Sequence, residues 1–256
     1  IEVEDRLQDI GIPVFHDDQH GTAIVVSAAL MNCAKVVGKK YEDLKVVISG
    51  AGSAGLAIAQ MLLCIDRRDG VLVQLEGKRV ADVIILDSKG IITDNSGEWK
   101  SKFATLTNKE KKKGDLASAL AGADAFIGVS KGGIMTSDMV STMAHDAIVL
   151  AMANPDPEIL PDEAMKGGAR IVGTGRSDYP NQVNNSLVFP GLFRGLLDSR
   201  ATKISVGIKQ AVRDALANFI EPIVGKILPS MFDEGQANAI AKAVSERVNF
   251  EGLGRK

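Results

Sequence analysis

Lys45-Val46-Val47-Ile48-Ser49-Gly50-Ala51-Gly52-Ser53-Ala54-Gly55-Leu56-Ala57-Ile58-Ala59 decides how the rest of this 256-residue chain is read. A β-branched run enters a glycine turn, and the turn opens into an Ala/Leu/Ile helix. Gly50, Gly52 and Gly55 form G-x-G-x-x-G in the strand–turn–helix setting that gives the pattern meaning. The three glycines serve different ends. Gly50 permits the tight turn, Gly52 lets backbone N–H groups approach a diphosphate, and Gly55 lets helix and sheet pack closely. The helix start, with Ala51, Ser53 and Ala54, adds free N–H donors and partial positive charge for the same phosphates. A plain βα turn of some other α/β fold is the alternative. Strand, glycines and helix together favour a nucleotide.

Composition sets the outer limits. Hydrophobic residues make up 45% and charged residues 24%, as in an ordinary globular protein. A net charge of −2 without a long basic block argues against a nucleic-acid footprint. Lys109-Glu110-Lys111-Lys112-Lys113 reads as a solvated loop. No apolar stretch nears the ~18 residues needed to span a bilayer, and the first residues are acidic rather than signal-like. Cys33 and Cys64 lie in apolar, helix-like patterns and read as buried free thiols, which fits a reducing, cytoplasmic setting.

The first twenty-odd residues show little periodicity but hold a polar cluster, His16-Asp17-Asp18-Gln19-His20-Gly21, behind Ile12-Pro13-Val14-Phe15. A helix is expected from Gly21 to about Val37, so Asp18 and Gln19 fall just ahead of its N-terminus. Capping by Asp18 or His20 accounts for one acidic residue. It does not account for two aspartates flanked by histidines, and a metal or substrate role is expected for one of them. The helix after Gly55 is expected to end near Ile65, with a turn over Asp66–Gly70 and a short apolar segment, Val71–Val73.

A second strand, Asp82–Leu86, ends at Asp87-Ser88-Lys89-Gly90. An acidic residue at this strand tip is where such a fold holds the adenosine ribose hydroxyls. The interval from the glycines exceeds the roughly 20 residues usual for the motif, so part of Asp66–Gly77 reads as an insertion. Asp87 favours NAD, whereas Ser88 and Lys89 could hold the 2′-phosphate of NADP. Both cofactors stay open.

Past a polar loop through Trp99 and Lys113, Asp115 caps a short helix closed by Gly122. Strands at Ala125–Gly128, Ala147–Ala151 and Arg170–Gly173 alternate with helices near Ser137–Ala144 and from Pro161 to Gly167-Gly168. The pattern is α/β, a doubly wound and mostly parallel sheet of the Rossmann type with additional C-terminal helices. Ligands of such sheets sit beyond the carboxyl ends of the strands. Those ends carry Gly50–Gly55, Asp87, Gly128–Ser130, Asn154 and the Gly173–Asp178 loop. Asn154 could be a turn former ahead of Pro155, but its placement favours a ligand-binding amide. Asn181, Gln182, Asn184 and Asn185 place four amides in five positions, either to bind a carboxylate or carboxamide or to cap a helix. Helices are expected over Pro190–Leu197, Ser205–Phe219 and Glu234–Val248, packed beside the sheet or at a subunit contact. The division is then a linker and metal-ligand segment over 1–21, the dinucleotide domain, and a helical extension over 190–256.

Several motifs together resemble the bacterial-type malic enzymes. They are Ile12–Ala23, the Gly50–Gly55 turn, Leu86–Gly90, Phe126–Ser130, Ala153-Asn154-Pro155 and Asn184–Gly191, in order across most of the chain. The resemblance implies NAD(P)-dependent oxidative decarboxylation of malate to pyruvate and CO₂ with a Mg²⁺ or Mn²⁺ ion, and a homodimer. It makes Asp18 the metal ligand with Asp17 beside it, and it places Asn154, Asn184 and Asn185 at cofactor and substrate. The family's further Glu-Asp metal pair would fall before residue 1, and Glu4-Asp5 lies too close to Asp18 to be that pair. Its catalytic lysine and tyrosine also fall outside this chain, and neither Tyr41 nor Tyr179 lies in a matching motif. No catalytic residue is therefore assigned, and the chain is expected to bind dinucleotide but to turn over malate negligibly. An amino-acid dehydrogenase cofactor domain and a non-catalytic dinucleotide sensor are the other two readings.

Overall fold

The computed structural model describes residues 2–7, 10–68 and 70–255. In chain order the elements begin with α1 (Glu2–Leu7), a π-helical turn (Asp17–Gly21) and α2 (Thr22–Val36). The first β–α unit and an appended hairpin follow as β1 (Lys45–Ser49), α3 (Ser53–Leu63), β2 (Ile65–Arg68) and β3 (Val71–Gln74). Then come β4 (Asp82–Asp87), β5 (Gly90–Ile91), α4 (Glu98–Ala104), α5 (Leu116–Leu120), β6 (Ala125–Gly128) and α6 (Ser137–Ser141). β7 (Ala147–Ala151), α7 (Pro161–Lys166) and β8 (Ala169–Thr174) complete the sheet, and α8 (Phe189–Asp198), α9 (Val206–Ala217) and α10 (Gln236–Glu251) close the chain.

Six strands form one sheet in the order β5-β4-β1-β6-β7-β8. Every pairing is parallel except β4 with the short β5. Side chains alternate across each strand, so a sheet covered on both faces must be apolar at successive positions. β1 does this: Val46 and Ile48 enter one core while Val47 enters the other. β7 repeats it, with Ile148 and Leu150 on the first face and Val149 and Ala151 on the second. α2, α3 and the three C-terminal helices cover the first face, and α5, α6 and α7 cover the second. The expected doubly wound, mostly parallel architecture is what forms. The chain leaves β1 for β4 on one side and reaches β6 on the other, which puts the topological switch between β1 and β6. A ligand crevice belongs there.

The C-terminal helices pack against the first face rather than standing apart. α10 lies against α8 because Gly191 and Gly195 of α8 leave no side chain in its way: a Cβ at Gly195 would meet the Ala241 carbonyl at 2.5 Å and Val244 Cβ at 2.6 Å. α9 carries Ile208, Val212 and Leu216 into the same core as α2, whose residues from Ala23 to Ala34 are all buried.

Four local expectations need correction. The helix after the glycine turn stops at Leu63, because Cys64 adopts a left-handed conformation (φ 57°) and turns the chain. Asp66 and Arg67 then belong to a strand: β2 pairs antiparallel with β3 in a two-stranded ribbon outside the main sheet. Gly70 (φ 77°) turns between the strands, and Asp69 of the expected turn lies outside the described residues. The ribbon puts Ile65 and Leu72 against the core and keeps Asp66 and Arg67 half-buried, and strands this short show no clear hydrophobic period. The ribbon is the insertion expected between the glycines and Asp87. α4, within the region read as a loop, buries only Phe103. α1 and the π-helical turn occupy the stretch expected to be irregular.

Candidate functional site

The glycine turn separates two structural glycines from one open position. Gly50 has φ 120°, and a Cβ there would meet the Val129 carbonyl at 2.6 Å. A Cβ at Gly55 would collide with the Gly50 carbonyl oxygen. At Gly52 an added Cβ meets nothing within 4 Å. Gly52 thus faces space rather than protein, at the N-terminal end of α3. No side chain caps that helix, so its first N–H groups remain for an anion.

Asp87 ends β4 beside this turn, where the ribose-binding acid is expected. Lys100 of α4 donates to Asp87 Oδ2 at 2.5 Å, and the Lys89 backbone N–H donates to Oδ1 at 2.8 Å. The hydrogen bond from Lys100, with that N–H and both nearby ammonium charges, holds the Asp87 carboxyl below its usual value against a smaller effect of burial. Ser88 and Lys89 are exposed. The cation on Asp87 is therefore Lys100, which sequence reasoning missed because α4 read as loop. Trp99, the chain's one tryptophan, has the Arg67 guanidinium 4.7 Å and the Lys102 ammonium 4.3 Å from its ring centroid.

Beyond the carboxyl ends of β6, β7 and β8 opens a cleft of about 720 Å³. Ala54 of the glycine turn, Ser130, Asn154, Asn184, Asn185 and Asp18 all line it. Asp18 of the acidic doublet thus lines the same cleft as Ala54 of the glycine turn. The π-helical turn makes this possible by sending its side chains to different sides. Asp18 is exposed to the cleft, and Asp17 is half-buried and accepts from Asn185 Nδ2 at 2.7 Å. His20 points away from the cleft, with its Nε2 2.6 Å from Glu4 Oε1 and its Nδ1 3.1 Å from Lys209 Nζ. Burial, then the Lys209 charge, lowers the His20 pKa, and burial lowers that of Lys209 to about 8. Neither Asp18 nor His20 caps α2, whose start has no side-chain cap. Gly21 is required at its place because a Cβ would strike Asp17 Oδ1.

The amide cluster divides its work. Asn184 caps the 3₁₀ turn Asn185–Leu187 by accepting the Ser186 N–H at 2.9 Å, yet it also lines the cleft. Asn181 is structural: it donates to the Val172 and Val224 carbonyls and accepts from Ile227 N. Thr22, and Arg176 paired with Asp178 at 2.7 Å, also line the cleft. Sequence reasoning placed the loop of Arg176 and Asp178 at the site but did not single out the pair. Thr22 carried no signal beyond its place after Gly21. Asp18 and Asp178 are the cleft's carboxylates, and no lysine, tyrosine or histidine lines it among the described residues. No group of three or more His, Cys, Asp and Glu side chains able to hold a metal occurs among the described residues. A hard divalent ion takes six or more oxygens, so Asp18 could be one donor but not a site.

A doubly wound sheet with an uncapped helix behind G-x-G-x-x-G, and an acid-tipped β4 next to it, defines a dinucleotide-binding domain. Residues 19–249 match the family model described as "Malic enzyme, NAD binding domain", and the chain belongs to that family. It is 45% identical over 99% of its length to the bifunctional malic/malolactic enzyme of Bacillus subtilis, of which it covers 60%. It is 44% identical over its whole length to the NAD-dependent malic enzyme of Geobacillus stearothermophilus, of which it covers 52%. The NADP-dependent malic enzyme of Rhizobium meliloti is 42% identical over 99% of the chain, which covers 34% of it. The solved NAD-dependent malic enzyme of Thermotoga maritima superposes with a TM-score of 0.87 at 41% identity, covering 95% of this chain and 63% of that one. The chain thus spans between a third and three fifths of the curated relatives compared. The amino-acid dehydrogenase alternative has no support from these matches.

Proposed function

We propose that this chain supplies the cofactor-binding part of an enzyme that oxidises malate with NAD or NADP and decarboxylates the product to pyruvate and CO₂. The observation supporting this reading is one cleft lined both by Ala54, at the start of the helix behind the glycine turn, and by Asp18, Asn154, Asn184 and Asn185. Backbone N–H groups from Ala51 to Ala54 would seat the diphosphate, with Gly50, Gly52 and Gly55 shaping the turn, and Asp87 would hold the adenosine ribose. Asn154, at the end of β7, would hydrogen-bond the nicotinamide half, while Asn184 and Asn185 would orient the substrate carboxylate. The bound nicotinamide supplies a hydride acceptor; the chain's own residues bind, orient and exclude water.

Asp18 would contribute one carboxylate to a Mg²⁺ or Mn²⁺ ion. Such an ion supplies Lewis-acid stabilisation of the enolate left by decarboxylation. These 256 residues alone are expected to bind dinucleotide and to produce negligible NAD(P)H from malate. The exposed Leu197, Phe232 and Phe250 offer apolar surface for a homodimer, and two buried free cysteines fit a cytoplasmic setting.

Calorimetric titration of the chain with NAD and NADP tests the reading. Saturable binding of at least one is expected, and binding of neither overturns it. Electron paramagnetic resonance of Mn²⁺ with the chain and its Asp18→Asn variant tests the metal assignment: weak binding that the variant abolishes is expected, and equal binding by both removes Asp18 from it.

A further inference from the structure

Glu158, which carries no motif, is fully buried beneath the ends of β6 and β7. Its Oε1 accepts the Ser130 N–H at 2.9 Å, and its Oε2 accepts the Ala153 N–H at 3.0 Å. Ser130 Oγ lies 3.0 Å from Ser49 Oγ, on the residue before Gly50. One carboxylate thus joins the ends of β6 and β7, and through Ser130 reaches β1, on both sides of the topological switch. Room for it comes from Gly128, where a Cβ would overlap the Glu158 carboxyl group.

Packing does not account for a carboxylate here. An apolar side chain fills buried volume without desolvating a charge. Burial does push the Glu158 carboxyl up, while the Ser130 and Ala153 N–H groups pull it back. Two backbone donors from different loops, aimed at the two oxygens of one carboxylate, fix the distance between those loops in a way that dispersion contacts cannot. Ser130 and Ala153 line the cleft, and Asn154 follows Ala153 directly. The diphosphate seat has braces of its own besides, from Gly50 N–H to the Leu86 carbonyl and Val129 N–H to the Ser49 carbonyl, both at 2.9 Å, so loss of Glu158 leaves the turn itself bonded.

We propose that Glu158 is a positioning residue for the nicotinamide half of the dinucleotide, setting the spacing between the Ser130 and Ala153-Asn154 loops. This deepens the reading above and rests on it. The hydrogen bonds that Asn154 would make to the ring depend on where its loop stands, and each such bond is worth about 0.5–1.5 kcal/mol, so loosening the clamp should lower affinity for the ring-bearing ligand.

The test compares NAD with ADP-ribose, which lacks the nicotinamide ring, on the wild-type chain and on Glu158→Gln. The variant keeps the side chain's shape but turns an NH₂ donor toward one backbone N–H. NAD affinity is expected to fall about tenfold or more, equivalent to about 1.4 kcal/mol, with ADP-ribose affinity within about threefold of wild type. Parallel loss of both ligands together with a lowered melting temperature makes Glu158 merely structural and overturns the proposal, as does retention of both affinities. A wild-type chain that binds neither ligand overturns the dinucleotide reading itself, which separates the two failures. For a Glu158→Gln chain that does not fold, amide exchange in the wild type decides. Slow exchange at both Ser130 and Ala153 is expected, and exchange at solvent rates at either overturns the clamp.

Discussion

Asn185 Nδ2 donates to Asp17 Oδ2 at 2.7 Å and so joins segments 168 residues apart. Asp17 Oδ1 is buried with no hydrogen-bond partner, and burial, followed by the neighbouring Asp18 charge, raises the Asp17 carboxyl's pKa. The amide is the carboxylate's side-chain hydrogen bond, and the His16 charge also offsets part of the burial. Asn185→Ala removes it and should cost about 1–3 kcal/mol, the range for an orphaned buried polar group. Asn185→Asp should cost more at neutral pH, because it sets a second negative charge against the first. Urea-denaturation midpoints of the three proteins check the order.

The two glycines at the start of α3 should separate folding from binding. Gly55→Ala drives a methyl group into the Gly50 carbonyl, and overpacking of this kind costs about 1–3 kcal/mol. Gly52→Ala meets nothing within 4 Å, and Gly52 has φ −88°, which alanine adopts freely. Its melting temperature should match the wild type while its dinucleotide affinity falls at least about tenfold, since the methyl group occupies the diphosphate's approach. Thermal melts paired with calorimetric titration check both. A Gly52→Ala chain that binds NAD or NADP as well as the wild type would place the diphosphate elsewhere.

Cofactor choice should respond to Lys100 rather than to Lys89. Lys100 already reaches the Asp87 carboxylate at 2.5 Å, whereas the side chains of Ser88 and Lys89 extend from an exposed turn. A 2′-phosphate next to Asp87 needs a cation to offset carboxylate repulsion. Lys100→Ala should therefore lower NADP affinity about tenfold, near 1.4 kcal/mol, and change NAD affinity less than about threefold. Lys89→Ala should leave both within about threefold. Titration of the two variants with each dinucleotide checks the assignment, and equal losses for NAD and NADP in Lys100→Ala would count against it.

Most of the fold was legible because buried parallel strands announce themselves. Val46-Val47-Ile48 and Ile148-Val149-Leu150 are continuous apolar runs, as strands covered on both faces must be, and β6 and β7 begin and end where the sequence places them. Asp115 caps α5 by accepting the Ser118 N–H, as its position ahead of an apolar run suggests. Short elements were not legible as elements: β2, β3 and α4 run for four, four and seven residues, too few to show a period even where, as at Val71–Val73, they are apolar. Asp18, Ala54, Asn154, Asn184 and Asn185 line one cleft, whereas Gly50–Ser53, Gly55 and Asp87–Lys89 do not line it. Glu158 and Lys100 escaped because their roles depend on tertiary contacts, one with amides of two other loops and one with a strand end across α4. Asn181, with the same side chain as Asn184, turned out to lock backbone, and composition alone cannot separate those two uses of an amide.

Acid stability gives a further handle on the Asp87–Lys100 contact. The Lys100 hydrogen bond holds the folded Asp87 carboxyl below its usual 3.8, so its ionised form stabilises the native state. For a carboxyl with a depressed folded value, that contribution is fully present above the unfolded pKa and is lost as pH falls through the lower folded value. Asp87→Asn cannot ionise and has no such contribution at any pH. The difference in unfolding free energy between wild type and Asp87→Asn should stay constant from about pH 7 to about pH 5 and shrink below about pH 4. Salt should shrink it too, because the pair is partly solvated and screened. Urea titrations across that range check the sign. A difference that grows on acidification would mean that Asp87 is protonated more readily in the folded chain than in the unfolded one, and Lys100 would then not be its partner in solution.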